Sequence, residues 1–482
     1  MACTALALLA GCSGSDAPTE SRPTNLLLIV ADDLGWNAPG CYGGPVAGLT
    51  PNIDRLATEG LRIEEAHVNV SVCRPSRMVL LTGRPPHRSG GEGFGDLSVP
   101  DVPHLPGLLR SAGYAVGVLG KLQHSTPYAE FEWDTAIGRK ALGMGRSPRR
   151  FAEEARSFIE GARAEGRPWF LMANSHDPHR PLYGQDPSDL YDRSEAPAER
   201  PSRVHSVEQC PVPGFLPPLQ AVHRDVVAYY DSARRCDDAV GALLDTLDEL
   251  GERDSTLVVF LSDNGMSFPF AKASCYPNGT RVPWIVRWPG HVAPTSVGED
   301  LVTGLDFAPT ILDALQIEPP AGLIGGDFLD PEFVPAEGAV VQYDQSAADT
   351  WYPMRAVHGG GYTYVFNAWS DGERRFVRGE DPSTLSLGAL ERAGEADPAL
   401  AERVVFLRLR VAEELYDTSR DPDCLVNLFG ADEHAAALER LRTQLEDWMV
   451  ATEDPALAAF RARGSSDALR AYLEARDAGA PR

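Results

Sequence analysis

Cys73 opens the run Cys73-Arg74-Pro75-Ser76-Arg77, which continues through Leu81-Thr82-Gly83-Arg84. Pro75 and Ser76 suit a first helical turn, so Cys73 is expected just before a helix N-terminus, where free backbone N–H groups and the dipole favour negative charge. Arg77 adds a fixed cation one turn later. A thiolate or a bound oxyanion is what such a position stabilises. The bland alternative is a buried or disulfide-bonded cysteine. A phosphatase-type cysteine loop needs arginine six residues on, where this chain has Val79.

Two further groups offer hard ligands. Asp32-Asp33 and Asp263-Asn264-Gly265 supply three carboxylates and an amide, a set that suits calcium or magnesium better than zinc. Either group alone reads as a turn; both directly after apolar runs favour a metal. Of the 44 basic residues only Lys121, Lys140 and Lys272 are lysines, and that scarcity gives weight to the two that fall in motif windows. Lys121 begins Lys121-Leu122-Gln123-His124, Lys272 lies nine residues past Asp263, and Lys140 reads as a surface residue. His176-Asp177-Pro178-His179-Arg180-Pro181 adds two imidazoles, of which His176 could equally be structural.

The elements that must position these residues are legible as continuous apolar runs at 25–31, 115–119, 169–173, 256–261 and 282–286, the pattern of strands buried on both faces. Helical spacing lies between them, most clearly over 219–250, where Gly251 ends the pattern. Alternating strands and helices predict a mostly parallel sheet covered on both sides, with ligands gathering at the strands' carboxyl ends. Asp32, Asp33, Lys121, His176, His179, Asp263 and Asn264 all fall just past such ends. Thr50-Pro51-Asn52-Ile53-Asp54-Arg55-Leu56 reads as scaffold. Beyond about residue 335 shorter strand-like pieces at 339–343, 362–367 and 415–417, with helices near 433–452 and 466–478, predict a smaller antiparallel sheet with a packed helix. The expected division is 1–23 as signal and tether, 24–335 as catalytic domain and 336–482 as C-terminal subdomain.

A chain of 482 residues with 43% hydrophobic content can bury a large core. A formal charge of -25 argues against a nucleic-acid partner and repels polyanions at long range, so any anion site must be a local basic pocket. The eight cysteines form no dense framework, and no disulfide can be assigned from spacing. Ala5-Leu6-Ala7-Leu8-Leu9-Ala10-Gly11-Cys12 resembles a bacterial lipoprotein signal, which implies export, lipidation of Cys12 and a periplasmic or outer-membrane location.

The cysteine, proline, serine and first arginine, with Leu-Thr-Gly-Arg at fixed distance, resemble the signature of type I sulfatases. That resemblance implies an alkaline-phosphatase-like α/β sandwich and oxidation of Cys73 to formylglycine by a maturation enzyme. It also implies calcium on Asp32, Asp33, Asp263 and Asn264, and a sulfate cradle of Arg77, Lys121 and Lys272. In the implied reaction the hydrated aldehyde attacks sulfur, His179 protonates the leaving atom, and His124 deprotonates the second hydroxyl. Ser262 to Phe270, His176 to Arg180, Tyr352 to Val357 and Glu414 to Asp417 resemble the heparan N-sulfatase (sulfamidase) branch, with His176 and Arg355 as substrate-binding candidates. That branch tends to carry arginine where Lys272 stands and a shorter spacing than Lys121 to His124, so an O-sulfatase for glycans or small esters stays open. A phosphodiesterase of the same fold would use Thr or Ser in place of Cys73. A lipid-anchored carbohydrate-binding protein with an unmodified site is the alternative from another class.

Overall fold

The computed structural model describes residues 24–185, 200–377 and 385–479, so Cys12 and the expected signal segment lie outside the described residues. Strands are numbered in chain order. β1 (Asn25–Ala31) is buried throughout, with Leu26, Leu28 and Val30 in one hydrophobic core and Leu27, Ile29 and Ala31 in another. This even and odd division places the strand mid-sheet, covered on both faces. The remaining strands of the main sheet are β2 (Leu61–Ile63), β4 (Ala115–Leu119), β5 (Thr135–Ile137), β6 (Trp169–Asn174), β7 (Thr256–Ser262), β8 (Trp284–Arg287) and β9 (Ser296–Gly298). β3 (Ala66–His67) and β10 (Val302–Thr303) form a separate short parallel pair. The order across the main sheet is β5-β4-β6-β1-β7-β8-β2-β9. The first five strands run parallel, and β8 is antiparallel to both its neighbours. The fold is an alkaline-phosphatase-like α/β sandwich.

Helices Pro148–Ala164 and Gln220–Leu250 cover one face, while Leu105–Ser111 and Gly304–Ala314 cover the other. The long helix starts one residue later than its apolar spacing predicts and ends at Gly251, whose φ of 68° is left-handed. The helix Pro51–Thr58 serves as scaffold: Asp237 accepts hydrogen bonds from the backbone of Asn52 and Ile53 at 3.0 and 2.8 Å. Among the described residues no helix is long and apolar enough to cross a membrane. The six cysteines there are free thiols.

The C-terminal sheet is antiparallel, with β11 (Ala339–Gln345), β12 (Trp351–Gly359), β13 (Tyr362–Asn367) and β14 (Glu413–Asp417) in that order. The helix Ala435–Ala451 lays Leu438, Leu441, Leu445 and Met449 against Val357, Tyr364 and Phe366. Sequence patterning did not mark β12 as a strand, because it carries Pro353 and Arg355 within an apolar run. Proline lacks a ladder donor, and the irregularity between Tyr343 and Gln345 on β11 lies opposite it. The sheet is joined to the main domain at Asn69, whose side chain donates to Val340 O (2.9 Å) and whose carbonyl accepts from Gln342 N (2.7 Å). Asn69 lies four residues before Cys73.

Arg355 corrects an expectation. It is only 1% exposed, and its guanidinium donates to Asp454 at 2.6 and 3.0 Å and to Asp344 at 2.8 Å. Both carboxylates belong to the C-terminal subdomain, so Arg355 holds that subdomain together and is not among the residues that line the cleft beside Lys121 and His179. Arg355→Ala strands two buried carboxylates and is expected to cost about 3–5 kcal/mol in urea unfolding; a loss under about 1 kcal/mol would show that the network contributes little.

His104 makes a second prediction. Its Nδ1 accepts from Gly107 N at 3.2 Å as the N-cap of the helix Leu105–Ser111, and burial lowers its pKa to about 4. The fold therefore requires neutral imidazole. The contribution is complete above the ordinary value near 6.5 and is lost as pH falls towards 4, by an amount on the order of 2–3 kcal/mol. His104→Asn keeps a capping acceptor and should flatten this part of the pH–stability curve; an unchanged curve would remove His104 from the account.

Candidate active site

Four adjacent parallel strands, β4, β6, β1 and β7, end on one rim. Asp32 and Asp33 follow β1, Lys121 follows β4, His176 and His179 follow β6, and Asp263 and Asn264 follow β7. The helix Cys73–Thr82 enters the same rim with Cys73 as its first residue and Val72 extended before it. Its Sγ lies 3.3 Å from Asp32 Oδ1 and is 2% exposed. The helix start alone favours a thiolate, but burial and the Asp32 carboxylate push this thiol well above its usual range.

Arg77 donates Nε and Nη2 to Asp263 Oδ2 at 3.0 and 2.8 Å, and Nη1 to Asn174 Oδ1. Lys121 pairs with Asp32, and Lys272 Nζ lies 2.7 and 3.0 Å from the two oxygens of Asp33. Burial opposes the charge on Lys121 and Asp32 prevails, so the ammonium is retained. Lys121 reaches the centre from a left-handed backbone after Gly120, whose φ is 73°. A Cβ there would lie 2.5 Å from Asn174 O, which requires glycine.

The donor set fits a hard divalent cation. Ligand atoms of Asp32, Asp33 and Asp263 lie within 4.8 Å of one another. Asn264 donates Nδ2 to Asp33 Oδ1 at 2.7 Å, which leaves its Oδ1 buried without a hydrogen-bond partner. Burial and the Asp32 charge push the Asp263 carboxyl upwards against Arg77. Asp32 goes the other way: burial would raise it, but Lys121, His179, Arg77 and Lys272 together hold it well below the carboxylate range.

Above this floor lies a cleft of about 560 Å³ lined by Phe94, Lys121, Gln123, His124, Arg139, His176, His179 and Ala347. His176 Nδ1 is 3.8 Å from Asp32 Oδ2, and its ring centroid is 4.9 Å from that of His179. Burial first and Lys121 second lower His124, His176 and His179, so all three are neutral imidazoles near pH 7. His179 Nδ1 is 2.6 Å from Arg180 O, which puts the proton on Nδ1 and the lone pair on Nε2. His124 sits edge-on to Phe94 with its Nδ1 buried and without a hydrogen-bond partner.

Among the described residues the rim and its cleft thus collect every expected site residue except Arg355, and Cys12 lies outside the described residues. Lys140 is exposed, as anticipated. Sequence reading missed Asn174, which lies one residue past the expected strand end. It also missed Arg146 and Arg235, which grip Asp177 at 3.0 and 2.6 Å and fix the turn bearing His179. An arginine far along the chain gives no signal of its partner.

A family model described as Sulfatase matches residues 24–317. The chain belongs to the sulfatase family. It is 32% identical to human N-sulphoglucosamine sulphohydrolase over 490 residues, covering 94% of each chain. Human arylsulfatase A is 28% identical over 85% of this sulfatase and 84% of its own length. A solved chain in complex with its substrate D-glucosamine-2-N,6-O-disulfate superposes with a TM-score of 0.63 at 20% identity, covering 90% of this sulfatase and 98% of that chain. As a family member this sulfatase is a sulfuric ester hydrolase.

Asn264→Ala removes the partnerless Oδ1. Calcium should raise the melting temperature of the parent protein, and the variant should bind it about tenfold or more weakly. Equal thermal shifts in both would place the cation elsewhere.

Proposed function

We propose that this sulfatase removes sulfate from the end of sulfated glycosaminoglycan-type saccharides, with the amine-linked sulfate of N-sulfoglucosamine as its preferred group. The observation that carries this reading is the 32% identity across 94% of both chains with N-sulphoglucosamine sulphohydrolase. The cleft supports it: a closed floor of buried cations suits one terminal sulfated sugar, while a chain of net charge -25 is poorly suited to grip a polyanion along its length.

In this reading residue 73 acts as formylglycine, and Asp32, Asp33, Asp263 and Asn264 hold calcium, which when bound supplies positive charge to the sulfate oxygens. Arg77, Lys121 and Lys272 keep their charges in a buried setting and neutralise the same group. His179 lines the cleft with a fixed tautomer, so Nε2 is the atom that exchanges a proton with the leaving nitrogen or oxygen. A sulfate beside it raises its basicity from the depressed resting value. His124 is the second proton acceptor. Gln123 and Arg139 also line the cleft and are available to contact the remainder of the sugar.

Two departures from the sulfamidase branch keep an O-sulfatase reading open: Lys272, where that branch tends to carry arginine, and the longer spacing from Lys121 to His124. Sulfate release from N-sulfoglucosamine and from glucosamine 6-O-sulfate, measured side by side on protein coexpressed with a maturation enzyme, separates the two. Preferred turnover of the N-sulfate is expected and should vanish in Cys73→Ala. Absence of N-sulfate turnover with retained O-sulfate release transfers the assignment.

A further inference from the structure

We propose that Arg476, near the end of the C-terminal helix, is a positioning residue for His124, acting from the C-terminal subdomain through Glu92 and Phe94. Its role rests on His124 being the second proton acceptor.

His124 belongs to the four-residue helix Leu122–Ser125, and its Nδ1 is buried without a hydrogen-bond partner. An imidazole that moves protons is ordinarily oriented by a hydrogen bond to its second nitrogen. This Nδ1 has none, so packing must orient the ring. Phe94 supplies that packing: its ring lies 5.7 Å from the His124 ring at an interplanar angle of 67°, the edge-on arrangement aromatic rings favour. Both side chains line the cleft.

Phe94 cannot hold itself in place. It sits in Gly91-Glu92-Gly93-Phe94-Gly95-Asp96, where every second residue is glycine. Such a segment has a large backbone entropy to lose, so a fixed Phe94 requires an anchor on each side. On the far side Arg74, the residue after Cys73, donates Nε to Gly95 O at 2.7 Å and Nη2 to Asp96 Oδ1 at 2.9 Å. On the near side Arg476 donates Nη2 to Glu92 Oε1 at 2.7 Å, and the two side chains are only 6% and 0% exposed. Arg476 is fixed in turn. Its guanidinium lies 4.0 Å from the centre of the Trp351 ring, and its helix, Ser466–Asp477, buries Leu469 and Leu473. Removing the guanidinium takes a charge-assisted hydrogen bond from a deeply buried carboxylate, which can recover it from water only by moving outwards. Phe94 is two residues away and moves with it.

The test compares the parent with Arg476→Ala, Arg476→Lys and Phe94→Leu. In the cysteine form, made without a maturation enzyme, the His124 ring resonance is assigned by its loss in His124→Gln and reports the Phe94 ring beside it without any turnover. It should shift in Arg476→Ala and in Phe94→Leu, and return towards the parent position in Arg476→Lys, which keeps the charge. In the converted form, on whichever of N-sulfoglucosamine and glucosamine 6-O-sulfate is turned over, Arg476→Ala should lower kcat about tenfold and KM in proportion. His124 acts after the leaving group has departed, and kcat/KM reports only the steps up to that departure. A loss of folded enzyme would instead lower kcat and kcat/KM alike with KM unchanged. Arg470→Ala, exposed on the same helix, should match the parent on both readouts. Arg476→Met keeps the buried stem and serves where circular dichroism shows that the alanine variant does not fold. A folded Arg476 variant with the parent's ring resonance, or with the parent's kcat, overturns the proposal. His124→Gln with the parent's kcat overturns the proton-acceptor reading itself, a separate failure because the resonance is measured without turnover.

Discussion

Everything at the rim depends on burying three carboxylates in one place. Asp32, Asp33 and Asp263 are each 0% exposed, and leaving such charges unpaired in a protein interior is prohibitive. Lys121, Lys272 and Arg77 each face one of them, so the buried charges cancel before any ligand arrives. The cancellation is also what makes the site useful. Cations fixed by carboxylates cost no reorganisation when an anion enters, and low surrounding polarity strengthens every remaining interaction. The same density of charge controls the other titrating groups. Burial and the ammonium groups keep the histidines neutral, and burial with Asp32 keeps Cys73 protonated.

That constraint explains why so much of the architecture converges on a small volume. Carboxylates this close must come from neighbouring strands, and β1 and β7 pair residue by residue from Asn25 with Thr256 to Ala31 with Ser262. The next residues, Asp32 and Asp263, are therefore set side by side by the ladder itself. β6 delivers Asn174, which accepts from Arg77 and donates to the carbonyls of Leu119 and Gly120, so a single amide ties the arginine to the turn that aims Lys121. The C-terminal sheet takes part as well. Its edge strand holds Asn69, and Ser71 accepts from Ser274 N at 3.0 Å, which links the approach to Cys73 with the segment after Lys272.

Strands buried on both faces announce themselves as unbroken apolar runs, and polar residues directly beyond them have few reasons to be there except chemistry. For this reason β1, β4, β6 and β7 and their terminal Asp, Lys and His residues were readable at once. β12 was not, because proline and a buried arginine break its pattern and only the partner strand and two distant aspartates make sense of them. Arg355 shows the same limit from the other side. As a residue in a family-like motif it suggested substrate binding, and only Asp344 and Asp454 reveal a structural ion-pair network.

The amino-acid sequence alone determined which groups are present: a cysteine at a helix start, a hard-oxygen donor set, scarce lysines in motif windows, and the parallel-strand order of events along the chain. Tertiary structure decided what those groups are. It buried the Cys73 thiol against Asp32, which pushes its pKa up, and anchored Lys121 and Lys272 on buried aspartates at the floor of the cleft. It also gave His179 one tautomer and moved Arg355 out of the site. The reason is that protonation, pairing and orientation depend on burial and on neighbours tens to hundreds of residues away, and spacing along a chain records neither.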